Sequence, residues 1–486
     1  MIYKLRPYQE ECVKSISDYI NSDRHDPVLI VGPVGCGKSL LIAEAARLMG
    51  DKTLILQPSK ELLLQNHNKI TSYGIPATIY SASCGKKELS NMIYATLGSI
   101  KKVVGQLKEM GIRNVLIDEA HAGYSPEDGS EFMTFMNELK PKKVIGFTAT
   151  PCRLKTMSIG QVSYSQLNFI TRMRPVYFKN LIHVIQVEEM IRQGFWTPIK
   201  YETWDFNGDA LKLNSNGSEY TAESISEAVR KNGLNNLILR RLMVLKDVCR
   251  SILVFMDSVE SCNTAAEWMN AKICAGMAEV VHGGTPKKQR EAIVEGFKSG
   301  KTKVVFNYSA LGTGFDHPGL DCVIVGRPTF SFSSFYQWLG RAVRIKDGKD
   351  SALVVDCCNN SSRFGDIRKL SIENYKGYGW GMFIGDKLIT NIPMGDKVTK
   401  TDLDIKAAKK DRRRGLAQGV TAAPVPGRPD HPLGSTVMTF GKYCGWMFHS
   451  IPVSYFKFIN ETFDWDNDRN KDIKEYIDFL IKNNRL

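Results

Sequence analysis

The sequence predicts an α/β protein with two tandem parallel sheets, a basic linker and a small C-terminal module, divided as 1–178, 179–365, 366–435 and 436–486. Three observations carry this expectation. Short, wholly apolar runs recur in two separate series, helix-like stretches separate consecutive runs, and the first run leads directly into a glycine-rich loop of the phosphate-binding kind. At 486 residues the chain has room for two or three domains, each with its own core.

The chain opens with Tyr3-Lys4-Leu5-Arg6-Pro7-Tyr8-Gln9 and continues to residue 20 as an amphipathic helix through Val13, Ile16, Tyr19 and Ile20. Apolar runs follow at 28–31, 53–56, 115–117 and 144–147. They are too short for helices and lack polar alternation, which is the pattern of strands buried on both faces. Between the first run and an Ala-rich helix pattern at 40–49 lies Gly32-Pro33-Val34-Gly35-Cys36-Gly37-Lys38-Ser39. Gly35 and Gly37 let backbone N–H groups turn inward around a triphosphate, Lys38 reaches its outer phosphates, and the Ser39 hydroxyl suits Mg²⁺. The Cys36 thiol, next to Lys38 and near a helix N-terminus, is expected to be more reactive than the buried cysteines. The third run ends in Asp118-Glu119-Ala120-His121, at the strand end where ligands of open parallel sheets bind. Asp118 is the candidate Mg²⁺ holder, and Glu119 the base that orients and deprotonates an attacking water. The fourth run ends in Thr148-Ala149-Thr150-Pro151, a turn with two hydroxyls.

The pattern weakens through a polar region after Pro151, and Gly194-Phe195-Trp196-Thr197-Pro198 breaks it. A second series of runs, at 252–256, 303–306, 322–325 and 353–355, has no phosphate loop of its own. It supplies Leu311-Gly312-Thr313-Gly314-Phe315-Asp316 and Gln337-Trp338-Leu339-Gly340-Arg341-Ala342-Val343-Arg344. Read as one helix, Gln337, Arg341 and Arg344 share a face. Arginines arriving from a second domain would supply the cationic stabilisation that a departing phosphate needs and would link domain closure to hydrolysis.

The stretch 366–435 is poor in apolar periodicity and carries a basic run from Lys406 to Arg414, so it reads as a partly ordered linker. The end of the chain holds Phe440-Gly441-Lys442-Tyr443 and a helix pattern at 470–482. Acidic residues from Asp464 to Glu475 match EF-hand spacing, but Arg469 stands where the sharp turn needs Gly, so an acidic helix start is the better account. The net charge of +14 is uneven: 366–435 holds 13 basic and 8 acidic residues, while 436–486 holds 7 of each. That balance suits a polyanionic partner. The 11 cysteines include no C-x-x-C pair, no apolar run approaches the roughly 20 residues that span a bilayer, and the charged start lacks a signal-peptide core. A cytoplasmic, intracellular protein with reduced thiols and no membrane contact is expected.

Together, G-x-x-x-x-G-K-S, D-E-A-H, T-A-T-P, G-T-G-F-D and Q-x-x-G-R-x-x-R, in this order over 1–365, resemble the superfamily 2 helicases. Leu5-Arg6-Pro7-Tyr8-Gln9, Pro58-Ser59-Lys60-Glu61-Leu62, His282-Gly283-Gly284-Thr285 and Arg327-Pro328-Thr329 resemble the DEAH-type DNA branch, most nearly RadD-like helicases. The terminal piece resembles a small module appended to some exonucleases and phage-type helicases. The resemblance implies two RecA-like domains that clasp ATP and Mg²⁺ in their cleft and hold DNA, single-stranded or branched, across their tops. It implies that Gln9 reads the adenine edge with Arg6 nearby, and that Thr148 and Thr150 couple nucleotide state to closure. Gly314, Asp316 and Gln337 then approach the nucleotide from the second domain, and Arg341 and Arg344 are the fingers. Ser59, Lys60, Ser99, Gly283 and Thr285 are the implied phosphate-backbone contacts, which carry little sequence information. Two rival readings are an RNA helicase of the same architecture and a nucleotide-gated DNA-binding or loading module that does not unwind.

Overall fold

Segments without polar alternation have to satisfy their backbone N–H and C=O groups inside the protein, and a parallel sheet covered on both faces does so. The structure is a computed structural model. It describes residues 4–407, apart from 125, 128, 160–161, 312–314 and 376–377, and then 433, 436, 438, 443, 446–462 and 471–483.

The first sheet contains β1 (Val28–Val31), β2 (Thr53–Leu56), β3 (Thr78–Ser81), β4 (Lys86–Lys87), β5 (Met92–Ala95), β6 (Asn114–Ile117) and β7 (Lys143–Thr148). A long antiparallel hairpin, β8 (Cys152–Ile159) and β9 (Val162–Phe169), stands apart from it, and β10 (Asn180–Val184) returns to it. The strand order is β10-β1-β7-β6-β2-β5-β3-β4. All neighbours are parallel except β3 and β4. The loops after β1, β7 and β6 therefore emerge side by side at one sheet edge, which is what gathers the phosphate loop, the paired threonines and the carboxylates.

The expected boundary at 178/179 is corrected by β10. It runs parallel to β1, with Val28 opposite Asn180 and Val31 opposite Val184, so the first sheet extends to residue 184. The reason is physical: without β10, the fully buried β1 would present an unpaired backbone edge. The second sheet begins with β11 (Ile199–Thr203) and continues with β12 (Ile252–Phe255), β13 (Ala278–His282), β14 (Val304–Tyr308), β15 (Cys322–Val325) and β16 (Ala352–Asp356). Its order is β11-β16-β15-β12-β14-β13, with every pair parallel. Both domains are RecA-like.

The linker reading of 366–435 is corrected over its first half. Strands β17 (Leu370–Tyr375), β18 (Gly379–Ile384) and β19 (Lys387–Leu388) form an antiparallel meander. Ile367, Leu370, Ile372 and Met382 join the same apolar core as the two sheets. The Gln186 side chain fixes the meander's edge, donating to Ile372 O at 2.8 Å and accepting from Ile372 N at 3.2 Å. Of the basic run only Lys406 and its neighbour 407 are described, in a helical stretch over 400–407; Lys409 to Arg414 lie outside the described residues.

Residues 399–486 belong to a separate compact unit. Its helices Val453–Thr462 and Lys471–Lys482 pack through Phe456, Ile459, Ile473, Tyr476, Ile477 and Leu480, with Met438, Phe448 and Ile451 completing the core. Phe440, Gly441, Lys442 and the acidic stretch 464–470 lie outside the described residues. No helix among the described residues is long and apolar enough to cross a membrane.

Candidate nucleotide site between the two sheets

Buried β1 hands over directly to helix α2 (Lys38–Met49), so the chain has to turn within a few residues, and it does so through Gly35 (φ +81°) and Gly37 (φ +83°). A Cβ on Gly37 would also lie 2.6 Å from Gln9 Nε2. The first N–H groups of α2 have no intrahelical acceptor, so the loop presents an anion site. A cleft of about 460 Å³ opens over it. Arg6, Gln9, Gly35, Gly37, Lys38, Ser39, Asp118 and Glu119 line it from the first domain, and Asp316, Gln337, Arg341 and Arg344 from the second. Of the nucleotide-site residues expected from sequence, only Gly314 is not among them, and it lies outside the described residues.

Within the cleft, Lys38 Nζ donates to Glu119 Oε1 at 2.6 Å. The second oxygen of Glu119 is buried, accepts no hydrogen bond among the described residues, and lies 3.4 Å from His121 Nδ1. Glu119 itself sits at φ +46°, an unusual backbone for a side chain with a Cβ. Asp118 accepts from Asn66 Nδ2 and from the Glu119 N–H, each at 2.9 Å. Burial disfavours every charge here, and the neighbours decide the balance. Burial and then Glu119 push the Asp118 carboxyl up to about 6. For Glu119 burial also pushes upward, but the Lys38 ammonium wins and holds the carboxyl below its ordinary range. Burial pulls Lys38 down, and Glu119 with Asp118 more than offsets it. Glu119 is thus ionised at neutral pH, with one oxygen open to accept a proton.

These residues fit a hydrated Mg²⁺. Among the described residues no three His, Cys, Asp or Glu form a metal cage. An Asp118 carboxylate short of cations, with the Ser39 hydroxyl, suits an ion that takes few protein oxygens and completes its shell with water and phosphate.

The arginines are placed differently from the sequence expectation. The helix Phe332–Leu339 ends at its C-cap Gly340, and Arg341 and Ala342 continue in tight turns that donate to Trp338 O and Leu339 O. Arg341 and Arg344 therefore do not extend the face of Gln337 along one helix. The connector redirects the chain: Thr197 N donates to Val343 O at 2.8 Å and Thr197 Oγ1 to Arg344 O at 2.7 Å. The two guanidinium groups still enter the cleft together. Arg341 and Arg344 both donate to Phe315 O, at 2.6 and 3.2 Å, and Arg344 also pairs with Asp316. Burial, and then Arg344, lower the Arg341 pKa from its ordinary value.

His121 joins the two domains. Burial pulls its pKa down to about 4, so the ring is neutral at pH 7. Its Nδ1 meets Thr148 Oγ1 at 2.8 Å and its Nε2 meets Ser333 Oγ at 3.1 Å. Ser333 also meets Thr150 Oγ1 at 3.1 Å. The threonines are thus linked across the cleft through Ser333, a residue that sequence reasoning missed because a serine at a helix start looks like a cap.

Gln9 is less open than expected. Its Oε1 accepts from Arg6 N at 3.0 Å and its Nε2 donates to Cys36 O at 2.8 Å, which leaves one N–H and one lone pair for a base. Arg6 lies 4.6 Å over the Phe195 ring. Phe195 and Trp196, whose Nε1 donates to Val34 O at 2.9 Å, were legible only as a break in pattern. An aromatic pair inside a Gly-to-Pro connector was the available signal. Asn66, which holds Asp118, gave no signal.

The five expected backbone contacts lie at the ends of strands or just beyond them. Ser59 caps helix α3 (Lys60–Thr71) after β2, with Lys60 at its first position. Ser99 follows β5 and accepts from Ala82 N at 3.0 Å. Gly283 and Thr285 follow β13. The Thr285 hydroxyl, though, is turned into its own loop, where it accepts from His282 N at 3.0 Å; Gly283 is exposed.

Two results are expected here. Cys36 is fully buried and burial pushes its thiol up to about 12, which overturns the expected reactivity. Mass spectrometry after brief alkylation of the native chain should find exposed Cys274 modified before Cys36. Gly340 abuts the phosphate loop from the second domain, where an added Cβ would fall 2.5 Å from Val34 Cγ2 and 2.6 Å from its Cβ. Gly340→Ala should therefore hold the cleft ajar and lower kcat at least tenfold, with little change in the unfolding temperature.

Residues 2–153 match the family of the Type III restriction enzyme, res subunit, and residues 235–346 match the helicase conserved C-terminal domain. A 51.5 kDa protein of a Lactococcus phage is 25% identical over 68% of this chain and 65% of its own length. The putative ATP-dependent helicase Irc3 of Saccharomyces cerevisiae is 23% identical over 74% of this chain and 52% of its own. The chain thus spans between about half and two thirds of these relatives. The structure of the type ISP restriction-modification enzyme LlaBIII bound to DNA superposes with a TM-score of 0.54 at 15% identity, covering 86% of this chain and 30% of that one. Two RecA-like sheets facing one cleft, and family matches to both halves in the right order, lead to one conclusion: the chain belongs to the superfamily 2 helicases, a family of nucleic-acid-acting ATPases.

Proposed function

We propose that this chain hydrolyses ATP in the cleft and uses the resulting opening and closing of its two sheets to move along or remodel DNA, as a DEAH-type, RadD-like helicase or translocase. The observation that carries the reading is the convergence of Lys38, Asp118 and Glu119 from one sheet with Arg341 and Arg344 from the other in one cleft. In this reading Glu119 Oε2 accepts the proton of the attacking water, Lys38 and the α2 N–H groups hold the phosphates, and the arginines stabilise charge on the departing phosphoryl group. Ser39 and Asp118 would hold Mg²⁺, which would neutralise phosphate charge. Phe195 and Arg6 offer the adenine a face, and Gln9 its remaining donor and acceptor. The Ser333 link from His121 to Thr150 makes closure depend on what occupies the site.

DNA is favoured by the DEAH-type motif set, and by similarity to a protein named DNA 3'-5' translocase XPB2 from Sulfurisphaera tokodaii, 24% identical over 72% of this chain. An RNA helicase would use 2′-OH contacts that no motif here specifies. The test is the ATPase rate with single-stranded, duplex and forked DNA and with RNA of equal length, at one salt concentration. Weak turnover alone, strong stimulation by DNA and less by RNA are expected. Stimulation by RNA alone would move the assignment to RNA, and indifference to every polymer would remove the motor.

A further inference from the structure

The four inner strands of the second sheet, β16-β15-β12-β14, are all entered at one edge, because every pair is parallel. A cavity of about 180 Å³ lies under those entries, lined by residues 250–251 before β12, 297–300 before β14, 317 and 319 before β15, and 346, 347 and 349 before β16. The backbone contacts expected of this domain, Gly283 and Thr285, follow their strand and so lie at the opposite edge. One wall is Lys349, whose Nζ donates to Ala342 O at 2.7 Å, Arg344 O at 2.8 Å and Pro318 O at 3.2 Å. Another is His317, packed on Phe297 with ring centroids 5.0 Å apart. It stands two residues beyond Phe315, whose carbonyl receives Arg341 and Arg344. The cavity therefore backs onto the turn that carries both arginines.

Charge says what kind of occupant the cavity takes. Its lining holds four cations, Arg250, Lys298, Lys346 and Lys349, against one acid, Asp347. Lys349 is committed to its three carbonyls, and Arg250 to Gly348 O and, at 3.7 Å, to Asp321. Lys298 and Lys346 form no ion pair and no hydrogen bond among the described residues. The last turn of the helix Lys287–Ser299 favours a cation, which accounts for Lys298 but not for Lys346. Lys346 borders the imidazole: a Cβ on Gly319 would lie 3.0 Å from Lys346 Nζ and 3.1 Å from His317 Cε1. His317 is 5% exposed; its Nε2 meets Ser251 Oγ at 2.8 Å, and its Nδ1 makes no hydrogen bond among the described residues. Burial, and then Lys346, Lys298 and Lys349, pull its pKa down to about 4, so the ring is neutral at pH 7. The field that keeps a proton off the ring attracts an anion beside it. Separate ammonium groups, rather than one guanidinium fork, suit a compact anion with charge on several oxygens, and a neutral imidazole can donate to or accept from hydrogen phosphate.

We propose that this cavity is an oxoanion site, separate from the phosphate loop, which takes phosphate, free or as a small monoester, between Lys298, Lys346 and His317, and so braces the turn that carries Arg341 and Arg344. The binding stands apart from the reading of the chain as a motor; only the catalytic meaning of the brace rests on it.

The experiment uses the full chain with its cleft filled by Mg²⁺ and a non-hydrolysable ATP analogue, so that the phosphate loop is occupied. Inorganic phosphate and glycerol phosphate are titrated and followed by the broadening of their phosphorus NMR lines. The pair Lys298→Gln/Lys346→Gln should bind phosphate at least about tenfold more weakly, and Asp347→Asn about threefold more tightly. Lys301→Gln, which changes an exposed lysine outside the cavity, should match the parent. All four positions are exposed, so unfolding temperatures near the parent's separate a lost site from a lost fold. Broadening of both probes assigns a monoester, and of phosphate alone the free ion. No broadening in the filled parent, or equal broadening in the glutamine pair, would overturn the site. So would a glutamine pair that loses affinity for oligo(dT) while phosphate binds to neither protein, which would give the lysines to the polymer. Hydrogen exchange over 341–349 should slow with phosphate in the parent and not in the pair; equal exchange would overturn the brace. An ATPase that no polymer stimulates would remove the motor reading and leave the phosphate titration to read the cavity.

Discussion

Glu119→Gln is expected to bind nucleotide about as tightly as the parent and to hydrolyse it about 10²- to 10⁴-fold more slowly. Gln keeps the length of the side chain and can still accept from Lys38 Nζ, which now reaches Glu119 Oε1 at 2.6 Å. What it removes is the proton acceptor, since the oxygen that makes no hydrogen bond among the described residues becomes part of a neutral amide. The phosphate loop, shaped by Gly35 and Gly37, is untouched. Lys38→Ala should behave differently. It takes the cation from the phosphates and from Glu119 at once, so the carboxylate is left buried without the ammonium that outweighs its desolvation. Binding and hydrolysis should be lost together. Equilibrium binding of a fluorescent nucleotide, set beside single-turnover hydrolysis, separates the two variants. Hydrolysis within tenfold of the parent in Glu119→Gln would assign the base elsewhere.

The contrast between these residues and Asn66 shows what sequence patterning conveys. A strand buried on both faces has to be a continuous apolar run, so β1, β2, β6 and β15 were legible almost to the residue. The chemistry at their ends was legible because phosphate binding constrains backbone and side chain together, leaving a spacing that few other functions need. β5 and β10 were not recovered, because each short strand carries a tyrosine or histidine among polar neighbours and takes its place from the strands beside it. The turn after Gly340 was misread as helix for a related reason. Its course depends on Thr197, more than a hundred residues earlier, which bonds Val343 O and Arg344 O. Asn66 and Ser333 touch Asp118 and His121 through single hydrogen bonds of ordinary kind, and one polar residue on a helix carries no period to detect.

That dependence on distant contacts also governs how the second domain acts. In Arg341→Ala the turnover stimulated by nucleic acid is expected to fall about 10³-fold or more, while binding to single-stranded DNA stays within threefold of the parent. Arg341 is half-buried in the cleft and donates to Phe315 O, away from the strand-end loops around Ser59, Ser99 and Gly283 expected to meet the backbone, so its loss should not loosen the polymer. Arg341→Lys should rescue little, because a point charge does not reproduce a planar donor that reaches a phosphoryl group and a carbonyl together. Arg344→Ala should be milder, since that side chain spends much of its charge on Asp316. The measurement is kcat and the apparent affinity for DNA from the same ATPase titration. A fall in DNA affinity with kcat preserved would make Arg341 a binding residue rather than a finger. A fall in kcat alone ties the second sheet to the chemistry of the first, which is the coupling that a stepping motor requires.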